Sequence, residues 1–255
     1  MVKDYLKSPE YYARKYILRD VERYLSPSMK VGTAVDCMLS GEHMPFQAAD
    51  KGSSKNDSII STKDLEKATI MAKAVTKTDF WKTMTKDNAL ETQVILEGEI
   101  EGVLFCGKPD FIWHRSFKTD TGGFVKHVVI DAKTAQASQA KSAKSFEYAC
   151  YDYGYFVQLA IYRELMQQNG VEVEELGFLV IGLTADGVPL VRLCRAHPAA
   201  LDSAFELVKA AVIGIKRQEF TDPVLKWDDS PFIGVPKDAI EEPEPEEESE
   251  EEEST

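Results

Sequence analysis

Cysteine is scarce in this sequence, and the few cysteines are far apart. The 255 residues include Cys37, Cys106, Cys150 and Cys194 and no others. None belongs to a C-x-x-C pair, and the spacing suits neither a disulfide framework nor a zinc or iron–sulfur site. We therefore expect all four to be ordinary packing residues, and any metal chemistry to depend on oxygen ligands.

Long apolar runs are also missing. The longest, near residues 176–183, is far shorter than the roughly 20 residues that span a bilayer, and the first residues contain no apolar signal region. We therefore expect a cytoplasmic protein with no membrane partner. The sequence also lacks a G-x-x-x-x-G-K-[ST] loop and a recognisable Ser-His-Asp arrangement, which argues against an ATP-driven motor and a serine hydrolase.

Acidic residues outnumber basic ones by 43 to 30, and the excess is concentrated at one end. Residues 241–255 contain ten Glu and no Lys or Arg, so the net charge of −13 becomes −3 for residues 1–240. The overall acidity therefore does not exclude a polyanionic partner. We expect one domain over residues 1–240, with a helical part at 1–90 and a core at 91–217. Residues 241–255 should form a disordered tail, either a solubilising segment or a polyanion that competes for basic surfaces.

The apolar residues follow helical and extended periods in turn. Helices are predicted over residues 4–24, 28–39, 62–77, 145–150, 153–168 and 198–217, with a loop at 45–60. Ser8-Pro9-Glu10 indicates a helix start, Gly41 should end the helix at 28–39, and Ser61 or Thr62 should cap the helix at 62–77. Strands are predicted over residues 93–96, 103–113, 125–131, 176–183 and 188–194, the first three forming a meander. This order predicts a mixed α/β (α+β) fold with a central mixed β-sheet flanked by helices.

Three charged residues lie on or at the end of two predicted strands. Asp110 lies on one strand, and Asp131 and Lys133 end the next, where alternate side chains point the same way. Two close carboxylates repel each other unless a cation lies between them, and hard oxygen ligands favour Mg²⁺ or Mn²⁺. A lysine beside a metal-bound water can orient it or stabilise an oxyanion, as phosphodiester cleavage requires. A solvated ion pair is the alternative interpretation.

Several short motifs follow one another in the order of a known nuclease superfamily. Pro109-Asp110, followed after twenty residues by Asp131-Ala132-Lys133, resembles the PD-(D/E)xK motif. Residues 155–162, Tyr-Phe-Val-Gln-Leu-Ala-Ile-Tyr, resemble the Q-x-x-x-Y motif of RecB-type nucleases. Residues 32–36, Gly-Thr-Ala-Val-Asp, resemble their G-T-x-x-H element. With the Ser-Pro-Glu-Tyr-Tyr opening at residues 8–12, the chain is most similar to the RecE-like and lambda-type phage exonucleases.

This resemblance implies a restriction-endonuclease-like core that uses Mg²⁺ or Mn²⁺, with two ions expected. It implies a 5′-to-3′ exonuclease on linear double-stranded DNA, acting in phage-type recombination in a bacterial host. A single-strand annealing protein is the implied partner, and a ring-shaped homo-oligomer, a trimer or tetramer, is the implied assembly. An endonuclease or single-strand nuclease on the same core, and a catalytically silent DNA-binding recombination partner, are the alternatives.

The resemblance also assigns roles to individual residues. Lys133 would position the attacking water, and Gln158 and Tyr162 would orient the lysine or hold phosphate. Glu91 is expected as an additional acid because it stands at a strand start. Asp36 replaces the usual His and is either a metal ligand or a plain helix residue. The expected catalytic residues are Asp110, Asp131, Lys133, Gln158 and Tyr162, and the expected metal ligands are Asp110, Asp131, Ala132 (through its carbonyl), Glu91 and Asp36.

Basic side chains are the candidates for DNA contact, because phosphate neutralisation dominates non-specific affinity. Tyrosines are interleaved with the first group of them. A solvated helix face is the alternative. The candidates are Lys3, Lys7, Arg14, Lys15 and Arg19 near the start of the sequence, and Lys141 and Lys144 after the D-x-K strand.

Overall fold

A computed structural model of the chain describes residues 1–21, 25–50, 57–119 and 122–219, without the side chains of Asp87 and of residues 116–125. The chain divides into two units, Met1–Thr221 and Asp222–Thr255, and the elements below belong to the first. The predicted acidic tail and the predicted domain limit at residue 240 lie outside the described residues.

Groups of helices and groups of strands follow one another along the described chain. A π-helical turn, Ala13–Leu18, follows the second helix, and a 3₁₀ turn, Lys86–Asn88, follows the fifth. The α-helices are α1 Val2–Lys7, α2 Pro9–Tyr12, α3 Pro27–Ser40, α4 Thr62–Thr76, α5 Asp79–Met84, α6 Ala137–Ala140, α7 Ala143–Asp152, α8 Tyr155–Gln168 and α9 Pro198–Lys216. The strands are β1 Gln47–Ala49, β2 Ile59–Ser61, β3 Leu90–Thr92, β4 Leu96–Ile100, β5 Val103–Gly107, β6 Phe111–Thr119, β7 Gly122–Gln136, β8 Val173–Leu183 and β9 Pro189–Arg195.

Side-chain caps begin several helices at the residues that the sequence indicates. Ser8 accepts a hydrogen bond from the Tyr11 amide, and Ser61 accepts one from the Asp64 amide. Gly41, at φ 77°, ends α3 as predicted. The helix start at Ser8 is as predicted, but the helical stretch expected over residues 4–24 is interrupted there, because Ser8 is extended and separates α1 from α2.

The central sheet has five strands in the order β3-β6-β7-β8-β9. β6 pairs antiparallel with β7, and β7 pairs parallel with β8, so the sheet is mixed, as predicted. Helices α6 to α8 connect the two parallel strands, which cannot be joined by a tight turn.

The predicted meander is wrong in one respect. β4 and β5 form a hairpin that is a separate two-stranded sheet. In the central sheet, β6 lies between β7 and β3, and it does not pair with β5. Lys108-Pro109 interrupts the chain between β5 and β6, since proline cannot donate to a ladder. Glu101 and Gly102, at φ 51° and 73°, form the tight turn of the hairpin.

The predicted loop at residues 45–60 also contains regular structure. β1 and β2 pair in parallel, Gln47 with Ile59, and residues 51–56 lie outside the described part. No helix among the described residues is long and apolar enough to cross a bilayer.

Two layers of helices cover the sheet because side chains alternate along β7. Ile130 belongs to the core shared with α3, α4 and α5, whereas Val129 belongs to the core shared with α7 and α8. A third core joins α1 to α8 and α9. Asp131, two residues after Val129, is therefore on the α8 side of the sheet.

Candidate active site

The strand register brings Asp110 next to Asp131. Phe111, the first residue of β6, pairs with Ile130 of β7 in an antiparallel register. Asp110, which precedes Phe111, is therefore next to Asp131, which follows Ile130. Asp110 Oδ2 accepts a hydrogen bond of 2.8 Å from the Ala132 amide, and Asp110 Oδ1 accepts one of 3.3 Å from Gln93 Nε2. Both oxygens of Asp110 are therefore held, one of them by the D-x-K segment itself.

Lys133 and Asp131 form a buried ion pair on the same side of β7. The Lys133 ammonium contacts Asp131 Oδ2, and the Asp131 side chain is only 1% exposed. Burial lowers the pKa of Lys133, but the adjacent Asp131 carboxylate outweighs burial and raises it above its usual value. The lysine is therefore an ammonium group at neutral pH.

Helix α8 supplies two polar side chains one turn apart. Gln158 Nε2 lies 3.0 Å from Asp131 Oδ1 and 2.7 Å from the Tyr162 hydroxyl. The Tyr162 hydroxyl donates to the Lys108 carbonyl at 3.0 Å. Burial raises the pKa of Tyr162, so it remains a neutral donor. The pair thus ties α8 to Asp131 and to the residue before Pro109.

Asp36 on α3 approaches the same carboxylates from the other helix layer. Burial, followed by repulsion from Asp110, raises the pKa of Asp36 to about 8. Burial, followed by repulsion from Asp131, raises the pKa of Asp110 to about 6. Burial is the larger cause for both groups, and the repulsion that follows it places Asp36, Asp110 and Asp131 close enough to affect one another.

Glu91 does not join the cluster. Its carboxylate lies 3.0 Å from His114 Nε2 and is 55% exposed. In β3, Glu91 pairs with Ile112, and its contact with His114 lies farther along β6, away from Asp110. The additional acid that faces Asp110 is Asp36, because helix docking brings it there whereas the β3 register carries Glu91 away.

Some residues of this cluster were not predicted as such. Gln93 bonds to Asp110, and the Lys133 ammonium lies 5.0 Å from the centre of the Tyr155 ring. Lys3 Nζ lies 3.2 Å from Gln158 Oε1. The sequence indicates Lys3 only as part of a basic group, because a contact across 155 residues leaves no periodic signal in the sequence.

Two of the expected DNA-contact residues form ion pairs with acids. Arg14 pairs with Asp20 at 3.2 Å, and Lys15 pairs with Asp4 at 2.8 Å, so acids already neutralise both of these cations. Arg19 is exposed, in a left-handed conformation at φ 57°. Lys141 and Lys144, beside α6 and at the start of α7, are also exposed.

The residues of the cluster suit a hard divalent cation. Asp131 Oδ2 is buried, and among the described residues its partner is the Lys133 ammonium. Among the described residues, no three His, Cys, Asp or Glu side chains are already arranged as ligands of one ion. The side chains of Asp36, Asp110 and Asp131 nevertheless provide the carboxylate oxygen donors that Mg²⁺ or Mn²⁺ prefers.

A mixed sheet flanked by helices, with Asp110, Asp131 and Lys133 together at one place on it, defines the PDDEXK-like class of domains. Residues 1–219 match the family model described as a PDDEXK-like domain of unknown function (DUF3799), and the chain belongs to this family. The predicted superfamily and the predicted fold class are thereby confirmed. By its family the chain is a nuclease, a phosphodiester hydrolase.

The fold is similar to that of a solved structure. A protein from Eubacterium rectale, provisionally assigned as an exonuclease, gives a TM-score of 0.61 at 18% identity, covering 86% of this chain and 79% of that chain. A phage-related exonuclease from Haemophilus somnus gives a TM-score of 0.36 at 14% identity, covering 82% and 88%, a looser likeness. No curated protein sequence matches the chain.

Proposed function

We propose that the chain is a divalent-metal-dependent exonuclease that degrades linear double-stranded DNA from 5′ to 3′. The observation that carries the proposal is the convergence of Asp110, Asp131 and Lys133, with Gln158 bonded to the central carboxylate. The family supports hydrolysis of phosphodiesters, and the E. rectale structure, itself provisionally assigned as an exonuclease, favours attack at ends.

Asp110, Asp131 and Asp36 would hold the cations, with the Ala132 carbonyl as a further donor. Bound divalent ions supply an acidified water and neutralise charge on the phosphate. Mg²⁺ or Mn²⁺ fits these oxygen donors, and two ions are expected from the resemblance.

The remaining side chains prepare the attack. Lys133 is protonated, so it donates a hydrogen bond that orients the attacking water and does not remove its proton. Gln158 fixes the direction of the Asp131 carboxylate, and Tyr162 fixes Gln158 by its bond to the Lys108 carbonyl. The ammonium also offsets negative charge that develops on the phosphate oxygens.

The test uses linear duplexes labelled at the 5′ or the 3′ end and a covalently closed circle, each with Mg²⁺, Mn²⁺ or EDTA. We expect early release of the 5′ label, an intact circle and no cleavage in EDTA. Cutting of the circle would show an endonuclease instead, and early release of the 3′ label would reverse the polarity. Binding without cleavage would indicate a silent recombination partner.

Lys133→Met and Asp131→Asn should each reduce cleavage by roughly 100-fold or more. Lys126→Met is the matched control, because Lys126 lies on the same strand and pairs with Glu174 on the neighbouring β8. Cleavage by Lys133→Met at the wild-type rate would remove the role assigned to this lysine.

The resemblance alone supports the assembly and the cellular role. We propose a ring-shaped trimer or tetramer that works with a single-strand annealing protein in recombination, in the cytoplasm of a bacterial host. Light scattering of the purified protein tests the ring, and a monomer at micromolar concentration would contradict it.

A further inference from the structure

Helix α1 is fixed against the body of the domain by its apolar residues. Val2 and Tyr5 are buried in the core formed with α8 and α9. The Tyr5 hydroxyl donates to the Glu219 carbonyl at 2.8 Å, and its ring fills the space where a side chain at Gly214 would lie. The direction of Lys3, between these two anchors, is therefore set by packing.

The side chain of Lys3 runs over the start of α8 into the cluster. Gly154, at φ 62°, makes room for it, since a Cβ there would lie 3.1 Å from Lys3 Cδ. The ammonium lies 3.2 Å from Gln158 Oε1 and 5.5 Å from the centre of the Tyr155 ring. One amide group thus separates Lys3 from Asp131, to which Gln158 also bonds.

Positive charge at this position is unfavourable without an anion. Burial, followed by repulsion from Lys133, lowers the pKa of Lys3 to about 8. Asp4 is held by Lys15 and Tyr16, and Asp131 is paired with Lys133. Within the part of the chain that the structure describes, no carboxylate lies within ion-pair distance of the Lys3 ammonium.

We propose that Lys3, placed by Gly154, Tyr155 and Gln158, forms a binding site for a backbone phosphate of the DNA strand that is cut. An ammonium donates to phosphate oxygens as a compact point charge. The ammonium groups of Lys3 and Lys133 both lie beside the Tyr155 ring. A DNA phosphate bound there would offset the repulsion between them. The inference rests on the proposed function for its ligand, and it assigns a specific contact to a residue far from the nuclease motifs.

The test measures DNA binding and cleavage separately. Lys3→Met keeps the aliphatic stem over Gly154 but removes the charge, Lys3→Arg keeps the charge, and Lys209→Met is the matched control. Lys209 also lies beside an aromatic ring, at 5.5 Å from the centre of the Phe205 ring, but it pairs with Glu206 on its own helix α9. Fluorescence polarisation with a 20-base-pair duplex in Ca²⁺ or EDTA reports affinity, single-turnover cleavage in Mg²⁺ reports activity, and thermal melting reports folding.

We expect Lys3→Met to bind the duplex about tenfold more weakly and to reduce the salt slope by about one. Lys3→Arg should recover most of the affinity, and Lys209→Met should change it less than twofold. An unchanged affinity and salt slope in Lys3→Met would overturn the site, as would weak binding by a folded Lys3→Arg variant. If Lys3→Met melts early, the comparison of Lys3→Arg with Lys3→Gln decides by the same criteria.

Different results would contradict the Lys3 phosphate site and the proposed nuclease function. Wild-type protein that binds duplex but never cuts it would refute the nuclease proposal, while the Lys3 comparison still decides the phosphate site. Cleavage lost in Lys3→Met with binding unchanged would assign Lys3 to orienting Gln158, and this result would also overturn the phosphate site.

Discussion

At the scale of single residues, Asp36 is the side chain whose position most clearly indicates a cation site. It lies on α3, where RecB-type nucleases usually have His, and its strongest repulsion comes from Asp110. A helix residue with no role would seldom be an aspartate buried against two other carboxylates. Its position therefore favours the metal-ligand interpretation over that of a plain helix residue.

Replacing this carboxylate should change how the stability of the metal-free protein depends on pH. The pKa of Asp36 is about 8 in the folded protein and 3.8 ordinarily, so the folded state keeps a proton that the unfolded chain releases. Folded stability should therefore fall as pH rises from about 4 to 8. Asp36→Asn should flatten this decline and raise the melting temperature at pH 8 by roughly 5 °C.

Asp186→Asn is the control for this prediction, because Asp186 is exposed in the turn between β8 and β9. Melting curves in EDTA between pH 5 and 8 provide the measurement. Equal pH slopes for the wild type and Asp36→Asn would mean that Asp36 is not the group responsible. Mn²⁺ should stabilise the wild type more than Asp36→Asn.

At the scale of elements, the β4–β5 hairpin sets the position of α8. A Cβ on Gly107 would lie 2.9 Å from Leu165 Cδ1 and 3.1 Å from Tyr162 Cδ1. Only glycine lets the end of β5 approach the helix that carries Gln158 and Tyr162. The hairpin therefore acts on the site although none of its carboxylates belongs to it.

Gly107→Ala should push α8 away from β5 and disturb both side chains. We expect a loss of about 1–3 kcal/mol in the free energy of unfolding, because extra volume in a packed contact strains its neighbours. Cleavage should fall as well, since Tyr162 bonds to Gln158 and to the Lys108 carbonyl.

Urea denaturation and the cleavage assay measure the two effects. Cys106→Ser is the control, because this exposed residue is adjacent in β5. A Gly107→Ala variant with an unchanged denaturation midpoint and full activity would show that the contact between β5 and α8 does not require glycine.

At the scale of the whole molecule, charge is distributed unequally. Residues 241–255 carry ten of the 43 acidic side chains, and residues 1–240 have a net charge of only −3. Repulsion between this segment and DNA acts over about one Debye length and weakens with salt.

Deleting residues 241–255 should therefore raise the affinity for DNA several-fold at low salt, with the difference vanishing at about 0.5 M salt. A variant with Gln at these ten positions separates charge from length and should behave like the deletion. Equal DNA affinities of the wild type, the deletion and the Gln variant at low salt would support the interpretation of residues 241–255 as a solubilising segment.

The sequence by itself determined the fold class and the adjacency of Asp110, Asp131 and Lys133. β6 and β7 are consecutive antiparallel strands, so their pairing is local, and side-chain alternation puts Asp131 and Lys133 on one face. The helical spacing of Gln158 and Tyr162 likewise fixes their common face before any docking. These features depend only on periodicity and on short-range connection.

Only the tertiary structure decided which other groups complete the cluster. Lys3 reaches Gln158, and Asp36 replaces Glu91 as the acid that faces Asp110, because of how α1 and α3 dock on the sheet. Such docking depends on the summed burial of many apolar side chains and on the space left by Gly154. No local pattern in the chain encodes a sum of this kind, so these contacts emerge only when the layers pack.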